Sequence, residues 1–198
     1  MCAFSRPEWT ARVTQKDSPI KAVADLKGQR VAVTRGTDPH IFLVRALAGA
    51  GLTEKDVKLV LLQHADGRTA MERGDVVAWA GLDPMMAAAE VESGARLFYR
   101  KPEANTWGVL NVREAFAKAN PGLVKRVLVV YDTARKWCVA HPAELKTSLM
   151  AATKLSDPVI SKQLERTGIS SGKIGAVYVN IDDIWVARST ARSSKLPP

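Results

Sequence analysis

The chain of 198 residues and 21.5 kDa has room for one full domain or two small ones, and it excludes a large multidomain machine. Hydrophobic residues make up 46% and charged residues 25%, with a mean hydropathy of -0.08, which is the composition of a packed globular chain rather than a disordered or fibrous one. Net charge is +9, with 14 basic and 12 acidic residues in 1–100 against 15 and 8 in 101–198. The excess is scattered and forms no basic run, so the sequence predicts a solvated basic surface and no nucleic-acid partner.

The longest apolar stretches, Val57–Leu62 and Val127–Tyr131, fall far short of the roughly 18 residues of a membrane span. Met1–Trp9 lacks the basic segment and apolar run of a secretory signal. The two cysteines, Cys2 and Cys138, form neither a disulfide framework nor zinc-ligand spacing.

Short β-branched runs alternate with helical stretches from Lys21 onward. Val31–Thr34 reads as a buried strand and Ile41–Ala50 as a helix with Ile41, Val44, Leu47 and Ala48 on one face. Lys58–Leu62 reads as a strand, Gly67–Arg73 as a short helix, Val76–Ala80 as a strand and Pro84–Ser93 as a helix. Arg96–Tyr99 and Thr106–Val112 complete the strand set. This rhythm predicts an α/β lobe with a mainly parallel sheet flanked by helices.

Asp38-Pro39, Asp83-Pro84 and Asp157-Pro158 each place a capping acceptor before a proline suited to the first helical turn. Gly51, Gly74 and Gly94 each follow a helical stretch, where a left-handed residue closes the last turn. After Asn120-Pro121, the spacing of Leu123, Val127, Tyr131, Ala134 and Cys138 predicts a long helix, broken at His141-Pro142. Ala143–Leu155 and Val159–Thr167 follow as shorter helices, and Ala176–Val179 as a strand before a polar tail. The resulting division is 1–20 as an N-terminal segment and hinge strand, 21–112 as a ligand-binding lobe, 113–175 as a helical segment and 176–198 as a divergent tail.

The strongest candidate site is Gly36-Thr37-Asp38-Pro39-His40, where a strand meets a helix N-terminus and free N–H groups with the helix dipole favour an anion. Thr37 offers a hydroxyl and His40 a ring N–H, while the Asp38 carboxylate competes as a helix cap. Trp79 and Asp83 lie at the carboxyl end of a strand, where open α/β sheets bind ligands. An indole wall and a carboxylate acceptor are one reading of them; a core tryptophan and an N-cap are the other. Asp66 and Arg68 follow the second strand in the same way, and Arg68 suits either an anion or the surface. No nucleophile elbow, Walker loop, Gly-x-Gly-x-x-Gly or metal-ligand cluster occurs, so the residues predict no catalysis, no metal and no cofactor.

The run Ser18-Pro19-Ile20-Lys21-Ala22-Val23-Ala24-Asp25-Leu26-Lys27-Gly28-Gln29-Arg30-Val31-Ala32-Val33 resembles the opening of the second lobe in substrate-binding proteins of ABC importers for aliphatic sulfonates, taurine and nitrate. Arg35-Gly36-Thr37-Asp38-Pro39-His40, Gly51-Leu52-Thr53-Glu54-Lys55-Asp56-Val57, Ala65-Asp66-Gly67-Arg68-Thr69-Ala70 and Gly74-Asp75-Val76-Val77-Ala78-Trp79-Ala80-Gly81-Leu82-Asp83-Pro84 agree in order and spacing. The likeness runs from about residue 12 to about residue 172. It implies a two-lobed periplasmic-binding-protein fold, of which much of the first lobe would precede residue 12.

The resemblance further implies a non-catalytic monomer in the periplasm that hands a small sulfonate or related anion or zwitterion to a membrane permease. Gly36, Thr37 and His40 would then meet the anion, Trp79 and Asp83 would line the cleft, and Asp66 would be a weaker contact or a cap. Leu82 stands where family members usually carry another aromatic. Two alternatives share the architecture. One is the effector-binding domain of a transcriptional regulator, which needs a helix-turn-helix that the residues before 21 do not provide. The other is a thiamine-pyrimidine-synthesis-like enzyme, which would use His40 or His64.

Overall fold

The computed structural model describes residues 4–5, 8–106 and 108–167. The expected strand at Ala176–Val179, the tail, Cys2, Trp107 and Trp185 lie outside them. Chain order is β1 (Phe4–Ser5), β2 (Thr10–Thr14), β3 (Arg30–Val33), α1 (Asp38–Gly49), β4 (Lys58–Leu61), α2 (His64–Arg73), β5 (Ala78–Leu82), α3 (Met85–Ser93), β6 (Arg96–Tyr99), β7 (Gly108–Val109), α4 (Glu114–Ala119), α5 (Pro121–Ala140), α6 (Pro142–Thr153) and α7 (Asp157–Leu164).

Five strands form one sheet in the order β4-β3-β5-β2-β6. β3 pairs in parallel with β4 and β5, whereas β2 pairs antiparallel with both β5 and β6. Four strands therefore share a direction and β2 alone opposes them, so the sheet is mainly parallel with one reversed strand in its interior. Thr106–Val112, expected as a strand, contributes only Gly108–Val109, which pairs with Phe4–Ser5 in a separate two-stranded ribbon.

β2 escapes a hydrophobicity reading because Thr10-Ala11-Arg12-Val13-Thr14 alternates like a half-exposed strand, yet all five residues are buried. Burial of its polar face is tolerated through side-chain bonds to β5 and the turn before it. The Thr10 hydroxyl donates to the Gly81 carbonyl at 2.7 Å and the Thr14 hydroxyl to that of Val77 at 2.7 Å.

Helices cover both faces of the sheet. Leu43, Ala46 and Leu47 of α1 pack with Leu26, Val31, Val33, Ala78 and Ala80 on one face. Ala11, Val13, Ala32 and Trp79 pack with Met71 of α2 and Met86 and Ala89 of α3 on the other. Gly74 and Gly94 close α2 and α3 at φ +82° and +65°, as the sequence leads one to expect of left-handed C-terminal residues. In α1 and α7 the aspartate is itself the first helical residue, one place later than its expected role as cap. The Asp83–Pro84 peptide is cis and α3 begins at Met85, but the Asp83 carboxylate still accepts from the Ala87 N–H at 3.1 Å.

The helical half follows the sequence reading, with α5 broken from α6 at His141-Pro142. Val159 of α7 packs with Ala87 and Ala88 of α3, tying the chain's return to the lobe. In α5 only Leu128 is buried, while Leu123, Val127 and Tyr131 of the expected apolar face are exposed. Among the described residues no helix is long and apolar enough to cross a membrane.

Gly81 marks the tightest approach between sheet and α3. A β-carbon there would stand 2.5 Å from Val13 Cγ2 and 2.6 Å from Met86 Cγ. Gly81→Ala is expected to lower the unfolding free energy by about 1–3 kcal/mol, as overpacking does, and a urea titration reading the transition midpoint checks it.

Candidate functional site

The carboxyl ends of β3, β4 and β5 are joined to α1, α2 and α3 by the loops in which the sequence placed its candidates. The loop after β3 is held by its own hydrogen bonds. The Thr34 hydroxyl donates to the Leu62 carbonyl at 2.7 Å, tying the ends of β3 and β4 together, and meets His64 Nδ1 at 3.3 Å. Burial lowers the His64 imidazole below its ordinary pKa. The Thr37 hydroxyl turns back to donate to the Thr34 carbonyl at 2.7 Å, so no side chain of the N-cap residue covers the start of α1.

His40 is engaged at both ring nitrogens. Its Nδ1 accepts from the Gly36 N–H at 3.1 Å, which leaves Nε2 to donate to Glu54 Oε1 at 2.8 Å. The ring N–H that the sequence offered to an anion is thus committed inside the loop, and the imidazole acts as a strut between Gly36 and the Thr53–Asp56 turn. Gly36, at φ +78°, is exposed with open space where a β-carbon would point. Asp38 is half-buried in the first turn of α1, where its charge suits the helix dipole. These four residues share one short loop.

The remaining candidates are placed elsewhere. Trp79 is 1% exposed and lies in the core on the α2–α3 face, where a β-carbon on Gly67 would stand 2.8 Å from its Cδ1. Asp66 is an exposed residue in the first turn of α2. Arg68 bonds Glu72 at 2.7 Å and Glu92 at 2.6 Å, a partly exposed tie between α2 and α3. Asp83 is engaged by Arg166: Nε donates to Oδ2 at 3.0 Å and Nη2 to Oδ1 at 2.9 Å.

Arg166 also pairs with Glu90 through Nη1, so one guanidinium holds two carboxylates at the end of α7. Burial alone would lower its pKa, and the two carboxylates more than offset this and raise it. Backbone bonds join the same place to the start of β2, since the Asp83 N–H donates to the Trp9 carbonyl at 3.0 Å and the Glu8 N–H to the Arg166 carbonyl at 3.2 Å. Arg100 grips Glu8 through two bonds of 2.6 Å. The incoming strand and the outgoing helix are thereby fastened at one point.

Sequence reasoning missed Arg12, a residue with none of its surface exposed. Its Nη2 donates to Thr10 Oγ1 and to the Pro39 carbonyl in the first turn of α1, both at 3.1 Å, and its guanidinium lies 4.9 Å from the centroid of the Phe42 ring. Nε and Nη1 have no hydrogen-bond partner. Burial, opposed in part by Tyr99, lowers its pKa to about 9, which leaves it protonated at neutral pH. The only signal in the sequence was an arginine in the middle of a short threonine- and valine-bearing run. Among the described residues no group of histidine, cysteine and carboxylate side chains is arranged to hold a metal.

The family model for NMT1/THI5-like proteins matches residues 3–145, and the chain belongs to that family. A protein of Escherichia coli K12 named for binding aliphatic sulfonates is 34% identical over 162 residues, which is 81% of this chain and 50% of the relative. A Bacillus subtilis protein of the same name is 29% identical over 157 residues, or 78% of this chain and 47% of its own length.

Among solved structures, the periplasmic aliphatic sulphonate binding protein SsuA of Escherichia coli superposes with a TM-score of 0.81 at 29% identity, covering 97% of this chain and 62% of that one. The alkanesulfonate-binding protein SsuA of Xanthomonas axonopodis pv. citri, solved with MOPS, gives 0.78 at 26% identity, with 96% and 65% covered. The desulfurization enzyme DSZB shares the fold, at a TM-score of 0.63 and 18% identity. The α/β periplasmic-binding-protein fold and the relation to sulfonate-binding proteins are thereby shown, and the chain spans about half the length of the curated relatives it matches.

Breaking the buried Arg166 cluster exposes its structural role. Arg166→Ala leaves the buried Asp83 carboxylate and the half-buried Glu90 without their cation, and the unfolding free energy is expected to fall by about 3–5 kcal/mol in chemical denaturation. A fall below about 1 kcal/mol would mean that the cluster does not fasten α7 to the lobe.

Proposed function

We propose that this chain carries the second lobe of a solute-binding component of an ABC-type importer, which binds a small sulfonate or related oxyanion without catalysis. The observation that supports it most is the loop 34–40. It is braced from within by Thr34, Thr37 and His40, and it leaves the start of α1 uncovered by the N-cap side chain next to an exposed Gly36. In a fold shared with two sulfonate-binding proteins at 26–29% identity, such a turn is suited to an anion that accepts from backbone N–H groups.

On this reading Thr37 and Asp38 supply backbone donors, while the Gly36 N–H stays on His40, which holds the turn in shape instead of touching the ligand. Asp38 disfavours a bare dianion and suits the ammonium of an aminosulfonate. Trp79 and Asp83 support the loops from the core and the Arg166 cluster, and Asp66 lies exposed in the first turn of α2. The site would face the periplasm, the loaded protein would act as a monomer, and its partner would be a membrane permease. Nucleic acid has no place in this reading, because the basic excess is dispersed over the chain.

The test is thermal unfolding of the purified 198-residue chain with methanesulfonate, ethanesulfonate, taurine, nitrate and sulfate. A ligand at 100 times its Kd adds about 2.7 kcal/mol, which for a chain of this size raises Tm by on the order of 5–10 °C. A selective rise with one or more sulfonates is the expected outcome. Equal behaviour with all five salts at matched ionic strength would count against the reading.

A further inference from the structure

Arg12 is the one arginine of the lobe whose burial is complete and whose partners are incomplete among the described residues. Arginine is rarely buried in full unless it is paired, and an unpaired buried charge is costly. Here no carboxylate reaches the guanidinium, two nitrogens lack acceptors, and what holds it is a hydroxyl, a carbonyl and the face of Phe42. Arg166, by contrast, has both of its carboxylates.

The position of Arg12 is informative. Thr10, Arg12 and Thr14 lie on the face of β2 opposite Ala11 and Val13, which belong to the α2–α3 side, so the guanidinium projects toward α1. It ends at the Pro39 carbonyl, within the same turn as Asp38 and His40. A full positive charge thus sits beneath a helix N-terminus that already carries positive potential. The two fields add at the loop 34–40, and an anion there is stabilised by both.

We propose that Arg12 is the charged ligand-binding residue of this site, donating from Nε and Nη1 to the oxygens of a singly charged oxyanion headgroup such as a sulfonate. The proposal rests on the sulfonate reading above and deepens it: backbone N–H groups of the α1 turn orient the headgroup, and Arg12 supplies the charge that His40 does not. Since Arg12 exposes no surface, binding includes an opening of the first turn of α1 away from Thr10 and Pro39. A purely structural arginine at this place would behave differently. Its replacement by an apolar residue of similar length would leave binding intact.

The experiment compares the full chain with R12M and R12K by calorimetric titration and thermal shift, using ethanesulfonate and inorganic sulfate as probes and sodium chloride as the ionic-strength control. Expected are a loss of affinity of about 10–100-fold in R12M, an intermediate loss in R12K, and a Tm without ligand that is unchanged or higher in R12M. If R12M does not fold, R12K decides alone, because its loss of donors at constant charge must still weaken binding. Equal affinity of all three proteins for ethanesulfonate overturns the role of Arg12 and leaves the sulfonate reading standing. Binding of sulfate but not ethanesulfonate, lost in R12M, keeps Arg12 as an anion residue and overturns the sulfonate reading. No binding of either probe by the unaltered chain overturns both.

Discussion

Strand β2 is the constraint on which the rest of this lobe depends, because among the described residues it bridges β5 and β6 and is the one strand of the five-stranded sheet that runs against the others. Five consecutive residues are buried there although three of them are polar. The hydroxyls of Thr10 and Thr14 solve two of the three problems by donating across to the Gly81 and Val77 carbonyls. The third problem, Arg12, is solved only in part. The same strand brings Glu8 and Trp9 to Asp83, Arg100 and Arg166, so the point of entry into the sheet is also the point at which the last helix is fastened.

Two buried arginines thus show opposite electrostatic solutions within one small fold. Arg166 lies between Asp83 and Glu90, and its charge is matched by carboxylates from the α3 region. Such a cluster fixes geometry and resists substitution of one member, whatever its net worth in free energy. Arg12 has the burial without the match, beneath a helix start whose dipole has the same sign. The difference separates a fastening from the residue proposed to meet an anion.

Much of the fold was legible in the residues. Val31–Val33, Lys58–Leu61 and the helices after Asp38, Asp83 and Asn120 follow from β-branched runs, Asp-Pro starts and glycine stops. β2 was legible only as a hinge strand somewhere within residues 1–20, and its buried place inside the sheet was not, because Thr-Ala-Arg-Val-Thr has the alternation of a half-wet strand and its burial is satisfied by tertiary hydrogen bonds that no local pattern announces. Thr106–Val112 was over-read for the converse reason: β propensity is present, but the sheet beside it already ends at β6. At the site, the position of the loop 34–40 was legible and the roles inside it were not. His40 looked like a donor to a ligand until Gly36 and Glu54 were seen to take both nitrogens. Trp79 at a strand end was ambiguous, and its place against Gly67 in the core depends on the packing of α2.

An oxyanion held at the first turn of α1 over Arg12, as proposed above, would be seen from both sides at once by nuclear magnetic resonance. In a titration of the nitrogen-15-labelled chain with ethanesulfonate, the amides of Gly36, Thr37, Asp38 and His40 and the side-chain Nε–H of Arg12 should shift together and saturate with one dissociation constant. Sodium chloride at equal ionic strength should move none of them. Shifts confined to other parts of the lobe, or an Arg12 resonance that stays fixed while the loop amides move, would contradict the account.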